Sequence, residues 1–197
     1  MQHSLYNARF PSPMRLFIAT NFPAVVLRDL NDRATKLRPR LPPASWVREE
    51  AQHVTLAFLG EQPEANVDAV TPALTAALGA IPAFEARLHG CGFFPNGRHA
   101  RVGWVGLQPE ENFVALANTV REVVSQHGVT LDGGEFKAHL TLMRIRDPWP
   151  PASIELFTKS LRDYESAPFT VDSVTLFSSQ LSPKGAIHTV RQVYPLV

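Results

Sequence analysis

The chain has 197 residues and a formal net charge of +1, with 45% hydrophobic and 19% charged residues. That apolar content supports one domain, or two small lobes sharing a core, and excludes disorder as the main state. The near-neutral charge excludes a long grip on duplex nucleic acid through many phosphates, so any such contact should be local, at an end or a few nucleotides.

Residues 1–13 (MQHSLYNARFPSP) lack the basic-then-apolar pattern of a signal peptide and read as an N-terminal extension. The folded part is expected over 14–197, as a single two-lobed domain. Residues 14–21 form an apolar run suited to a strand buried on both faces. Residues 24–37 carry apolar side chains at helical spacing and stop before Pro39. The proline-rich stretch 38–45 reads as a loop, and Trp46 and Val47 as a brief edge strand. HVTLAFLG, from His53 to Gly60, is a strand. Residues 66–78 read as a helix despite Pro72, with Gly79 as its stop. Residues 84–94 and 101–107 are strands around turn chemistry at Pro95, Asn96 and Gly97. Residues 110–127 are a helix with Phe113, Leu116, Val120, Val123 and Val124 along one side and Gly128 as its cap. HLTLMRIR, from His139 to Arg146, is a strand. Prolines at 148, 150 and 151 break the chain before a helix over 152–161. Strands over 169–180 and 187–193 follow, joined by a turn at 182–185. The order implies an α+β fold with mostly antiparallel pairing. Its two halves look like a diverged duplication.

No apolar run approaches the 18 residues of a membrane-spanning helix. The single cysteine, Cys91, excludes an internal disulfide framework and a cysteine-based zinc cluster, and fits a reducing cytoplasm.

The pattern His, apolar, Thr, Leu occurs twice. In a strand, residues i and i+2 share a face. His53 and Thr55 therefore share one face, with Val54, Leu56 and Phe58 on the other. His139 and Thr141 share a face, with Leu140 and Leu142 opposite. Under a pseudo-twofold the two polar faces would meet across a groove. Two opposed imidazoles suit acid–base chemistry at phosphorus: one neutral and accepting, one charged and donating. Threonine hydroxyls can hold non-bridging oxygens, and Arg144 is the candidate cation. Strict alternation puts Arg144 on the wrong face, so a bulge near Met143 or a reach around the strand end is required. A lone His-x-Thr would be structural, but its repetition favours function. A zinc site is the weaker rival, because zinc takes three or four protein ligands and Glu49, Glu50, Glu135 and Asp147 lie outside the shared faces. His3, His89, His99, His127 and His188 have no paired context and read as surface or structural histidines.

The paired motifs resemble the 2H phosphoesterase superfamily, and within it the RNA 2′,3′-cyclic phosphodiesterases also called 2′-5′ RNA ligases (LigT-like). The resemblance runs through MRLFIATNFP, WVREEAQHVTLAFLGE, GCGFFPNGRHARVGWVGL, FKAHLTLMRIR and LFSSQLSPKGAIHTVRQVYPL. Two departures are visible: Ala138 stands where members often have Pro, and His188 where they often have Tyr. The resemblance implies a bilobal α+β fold, each lobe a mostly antiparallel sheet with helices on its outer face and the active-site groove between. It implies RNA ends or nucleotides bearing a 2′,3′-cyclic phosphate as substrate, opened to a 2′-phosphate, and ATP-independent 2′-5′ joining. His53 is then proton donor and His139 acceptor, with Thr55, Thr141 and Arg144 on the phosphate. Phe94 and Arg98 are candidate base contacts. No metal, no cofactor, no membrane and a cytoplasmic monomer are expected. The alternatives are another 2H enzyme acting on small cyclic phosphates or 2′-5′ oligonucleotides, and a non-catalytic RNA-end-binding module.

Overall fold

The computed structural model describes residues 14–131, 134–182 and 185–197. The expected extension, and the middle of the expected turn at 182–185, lie outside the described residues.

Among the described residues, nine strands form two sheets. The first orders as β3-β1-β8-β9, from β1 (Met14–Thr20), β3 (Val54–Gln62), β8 (Ser173–Ser182) and β9 (Gly185–Pro195). The second orders as β2-β6-β5-β4-β7, from β2 (Ser45–Trp46), β4 (Phe84–Phe94), β5 (Val102–Gln108), β6 (His139–Arg144) and β7 (Phe169–Val171). Their registered pairings are antiparallel. Four helices connect them: α1 (Ala24–Leu37), α2 (Glu64–Leu78), α3 (Glu110–Gln126) and α4 (Pro151–Leu161). This is the α+β, two-sheet architecture expected.

The apolar faces explain the assembly. Val26, Leu27, Leu30, Ala34 and Leu37 of α1, and Phe113, Leu116, Val120 and Val124 of α3, are buried at helical spacing. They join Leu16, Ile18, Val54 and Leu56 of the first sheet and Leu88, Val105, Leu140 and Leu142 of the second in one core. Phe17, Ala19 and Phe177 form a second, smaller cluster on the other face of the first sheet.

The run expected as one strand over 169–180 is two strands. β7 pairs with β4 in the second sheet, and after Asp172 β8 pairs with β1 in the first. Periodicity could not show this, because both pieces are apolar. The brief strand near Trp46 lies between first-half elements in sequence but adds to the edge of the second sheet, with Ser45 and Trp46 opposite Arg144 and Met143.

Candidate active site

His53 immediately precedes β3 and His139 opens β6. At each, the alternation holds for the first residues: His53, Thr55, His139 and Thr141 are half-buried, while Val54, Leu56, Leu140 and Leu142 are buried.

Phe58 departs from the expectation. It is 62% exposed and lies beside Phe17, on the His53 side of the sheet. The cause is a bulge: Ala19 pairs with Thr55 but Ile18 with Ala57, so Leu56 is an extra residue and parity flips after it. The same device brings Arg144 to the groove. Trp104 pairs with Thr141 but Gly103 with Met143, so Leu142 is extra and Arg144 returns to the His139 and Thr141 face. The two motif strands thus break register at the same position after their histidine, as diverged duplicates would.

The His53 ring stacks on Phe17 with centroids 4.8 Å apart, and Phe17 stacks on Phe177 at 5.1 Å. His188, from β9, stands edge-on to His53 at 5.4 Å and to Phe17 at 4.9 Å. His188, read from the sequence as a surface or structural histidine, thus stands beside His53. In the other half, Phe94 meets His139 edge-on at 4.8 Å and lies tilted by 32° against Trp104 at 5.2 Å. Phe93 instead points into the core against Phe157, 4.9 Å away. Arg98 is exposed in a short turn beyond β4; its backbone N–H donates to the Asn96 side chain. Phe94 is thus beside His139, and among the described residues no contact ties the Arg98 side chain to it.

Each histidine is anchored by a carbonyl two residues upstream. His139 Nδ1 lies 2.7 Å from the Lys137 carbonyl, and the Ala51 backbone bonds His53. A carbonyl can only accept, so Nδ1 of His139 carries the proton and Nε2 is left to the groove.

The electrostatics link the halves. Burial, chiefly, and then the charge of His188 push His53 down from 6.5 to about 4; His139 and Arg144 add to this, and the Ala51 bond opposes it. Burial also lowers His139, opposed by its Lys137 bond and helped by Arg144 and the Lys137 charge. Burial lowers His188. His53 lies within range of the charges of His188, His139 and Arg144, and His139 within range of Arg144, so an anion entering among them would raise the imidazoles toward protonation. Among the described residues, no group of three or more His, Cys, Asp or Glu could hold a metal ion. None of their helices is long and apolar enough to cross a membrane.

The chain resembles known proteins over nearly all of this architecture. The RNA 2′,3′-cyclic phosphodiesterase of Thermus thermophilus is 35% identical over 192 residues, 93% of this chain and 90% of that protein. The one from Thermotoga maritima is 30% identical over 182 residues, 90% of this chain and 92% of that protein. The crystal structure of TT0787 of Thermus thermophilus superposes with a TM-score of 0.76 at 33% identity, covering 93% of this chain and 98% of that one. Apo E. coli LigT superposes with a TM-score of 0.71 at 25% identity, covering 94% and 98%. The family model described as the 2′-5′ RNA ligase superfamily matches residues 27–182. With that match and relatives of this identity and coverage, the chain belongs to the 2′-5′ RNA ligase superfamily.

Proposed function

We propose that the protein opens RNA 2′,3′-cyclic phosphate ends to 2′-phosphates by paired-histidine acid–base catalysis. The observation that carries this reading is that His53, His139 and Arg144, each on the groove face of its motif strand, lie within range of one another's charge. The relatives named RNA 2′,3′-cyclic phosphodiesterase supply the substrate class.

Nε2 of His139 takes a proton from water as its oxygen bonds to phosphorus. The bond from phosphorus to the 3′-oxygen breaks, and His53 delivers a proton to that oxygen. The products are a 2′-phosphate and a 3′-hydroxyl. Thr55 and Thr141 donate to the non-bridging oxygens, and Arg144 offsets the developing charge. His53 is neutral near pH 7 in the free protein. Its donor form arises when the anionic substrate enters and stabilises the imidazolium. Phe94 is placed to border the nucleobase. Two imidazoles and a guanidinium supply the proton transfers and the charge, so the reaction is proposed to need neither metal nor nucleotide cofactor. A monomer acting in the cytoplasm completes the reading. Joining of 2′-5′ ends follows the same course with a 5′-hydroxyl attacking phosphorus in place of water, the 3′-oxygen again leaving; its reverse, a 5′-hydroxyl leaving as the 3′-oxygen closes the ring, cleaves a 2′-5′ link, and the family's description favours this pair of reactions.

The test is turnover of a 2′,3′-cyclic-phosphate oligonucleotide by purified protein without metal or ATP, beside small cyclic phosphates and 2′-5′ oligonucleotides. A 2′-phosphate product is expected, and His139→Ala should lower kcat about 10²–10⁴-fold. A 3′-phosphate product, or a His139→Ala protein of near wild-type rate, would sink the scheme. Tight binding of a 2′-phosphate end without turnover of any cyclic phosphate would indicate a binding module instead.

A further inference from the structure

The histidine face of the second sheet does not end at His139. Across the sheet, His139 pairs with Gly106, Gly106 with His89, and His89 bridges to Glu165. Residues opposite one another in an antiparallel ladder share a face, so this row crosses the floor beside the histidine. Gly106 leaves its middle bare: a Cβ there would sit 2.8 Å from the His89 carbonyl oxygen and 3.5 Å from the Trp104 ring. Over this floor lies a cavity of about 690 Å³, reaching from Lys137, Ala138 and Trp104 past Gly106 to His89 and Arg87. Its lining runs from the residues just before β6, across β5, to β4.

Its lining is not that of an anion site. Arg87 is held between Glu85 at 3.4 Å and Glu165 at 3.2 Å, which neutralises it. The carboxylates repel a bare phosphate but can accept from the amino groups of a base edge. Among the described residues the Nε1 of Trp104, a residue 9% exposed, is a buried ring nitrogen without a hydrogen-bond partner, and the buried Nδ1 of His89 lies 3.8 Å from the Glu165 carboxylate. Lys137 stands over the Trp104 ring, 4.9 Å from its centroid, close to the backbone that carries His139. A cation next to the histidine, an aromatic ring behind it and mixed donors and acceptors beyond match the order linkage, ring, base edge.

We propose that this cavity is the subsite for the nucleotide preceding the one that bears the cyclic phosphate, so that the favoured substrate is an RNA end of at least two nucleotides. The proposal rests on the cyclic-phosphate reading for its register. Lys137 faces the connecting phosphodiester, and Arg87, with its carboxylates, faces the base.

The test compares affinities by calorimetry for a dinucleotide ending in a 2′-phosphate and for the mononucleoside 2′-phosphate. The dinucleotide should bind about tenfold more tightly, the scale of one stacked and contacted base. Lys137→Ala and Arg87→Ala should each bring the ratio toward one; Arg87 is 39% exposed in its side chain, which favours folding of that variant. Lys159→Ala, on α4 and paired with Glu155, should keep the ratio. Equal affinities in the wild type, or a ratio that survives in both variants, would overturn the subsite. Parallel turnover of the two cyclic substrates separates the readings. Turnover of both without a length preference in affinity removes only the subsite; a length preference without turnover of either removes only the catalytic scheme.

Discussion

His53 holds its imidazole neutral because burial and the neighbouring His188 disfavour charge. Its folded value, about 4, lies below the ordinary 6.5. Between those values the unfolded chain binds a proton that the folded chain refuses. Stability therefore rises with pH across that window and is lost on acidification, by about 3 kcal/mol from His53. His139 and His188 act in the same direction. Urea unfolding at pH 7 and near pH 4.5 should show the loss, and His53→Phe should shrink it. His188 itself can be isolated. His188→Phe keeps a ring against Phe17 and removes the charge, so His53 should titrate at higher pH. The low-pH inflection of kcat/KM should move upward; an unmoved inflection would remove His188 from the electrostatics of the site. At this scale the paired residues were legible in the sequence, since His53, Thr55, His139 and Thr141 follow from strand period and repetition. His188 was not, because it repeats no motif and reaches His53 only through the pairing of β9 with β8 and β8 with β1.

Strand alternation decides what each motif presents until a bulge resets it. The extra residues Leu56 and Leu142 occupy the same place in the two motif strands, so Phe58 and Arg144 are structural counterparts on the groove face. One half uses that position for an aromatic ring and the other for a cation. The required turn of Arg144 was deducible from its parity, whereas that of Phe58 was misjudged, because a buried bulge looks like uninterrupted apolar sequence. The floor of the second half depends on a further pair, Gly92 opposite Trp104. A Cβ at Gly92 would come within 2.3 Å of the Trp104 ring. Gly92→Ala should displace the indole from its place beside Phe94 and His139. We expect about 1–3 kcal/mol of destabilisation, a changed near-ultraviolet circular dichroism spectrum and slower turnover. Wild-type spectra and rates would show that the indole has room to move.

The lobes are interlocked rather than merely adjacent. β2 comes from the first half of the chain yet edges the second sheet, and β7 and β8 follow one another into different sheets. One contiguous core reaches from Leu16 and Val54 to Leu88 and Leu140. Residues 14–197 should accordingly unfold as a single unit, with far-ultraviolet dichroism and tryptophan fluorescence giving coincident transitions. Leu140→Ala, at a fully buried position, should move both probes together, at a cost of about 2–5 kcal/mol. Separate transitions would mean that the lobes fold independently. The sequence alone determined the alternating elements, their apolar faces and the two His-x-Thr pairs, because helix and strand periods and a repeated motif are local properties of the chain. Tertiary structure alone decided which sheet each strand joined, which residue each bulge left unpaired, and that His188 meets His53. Those depend on pairings between distant segments, which carry no local periodic trace.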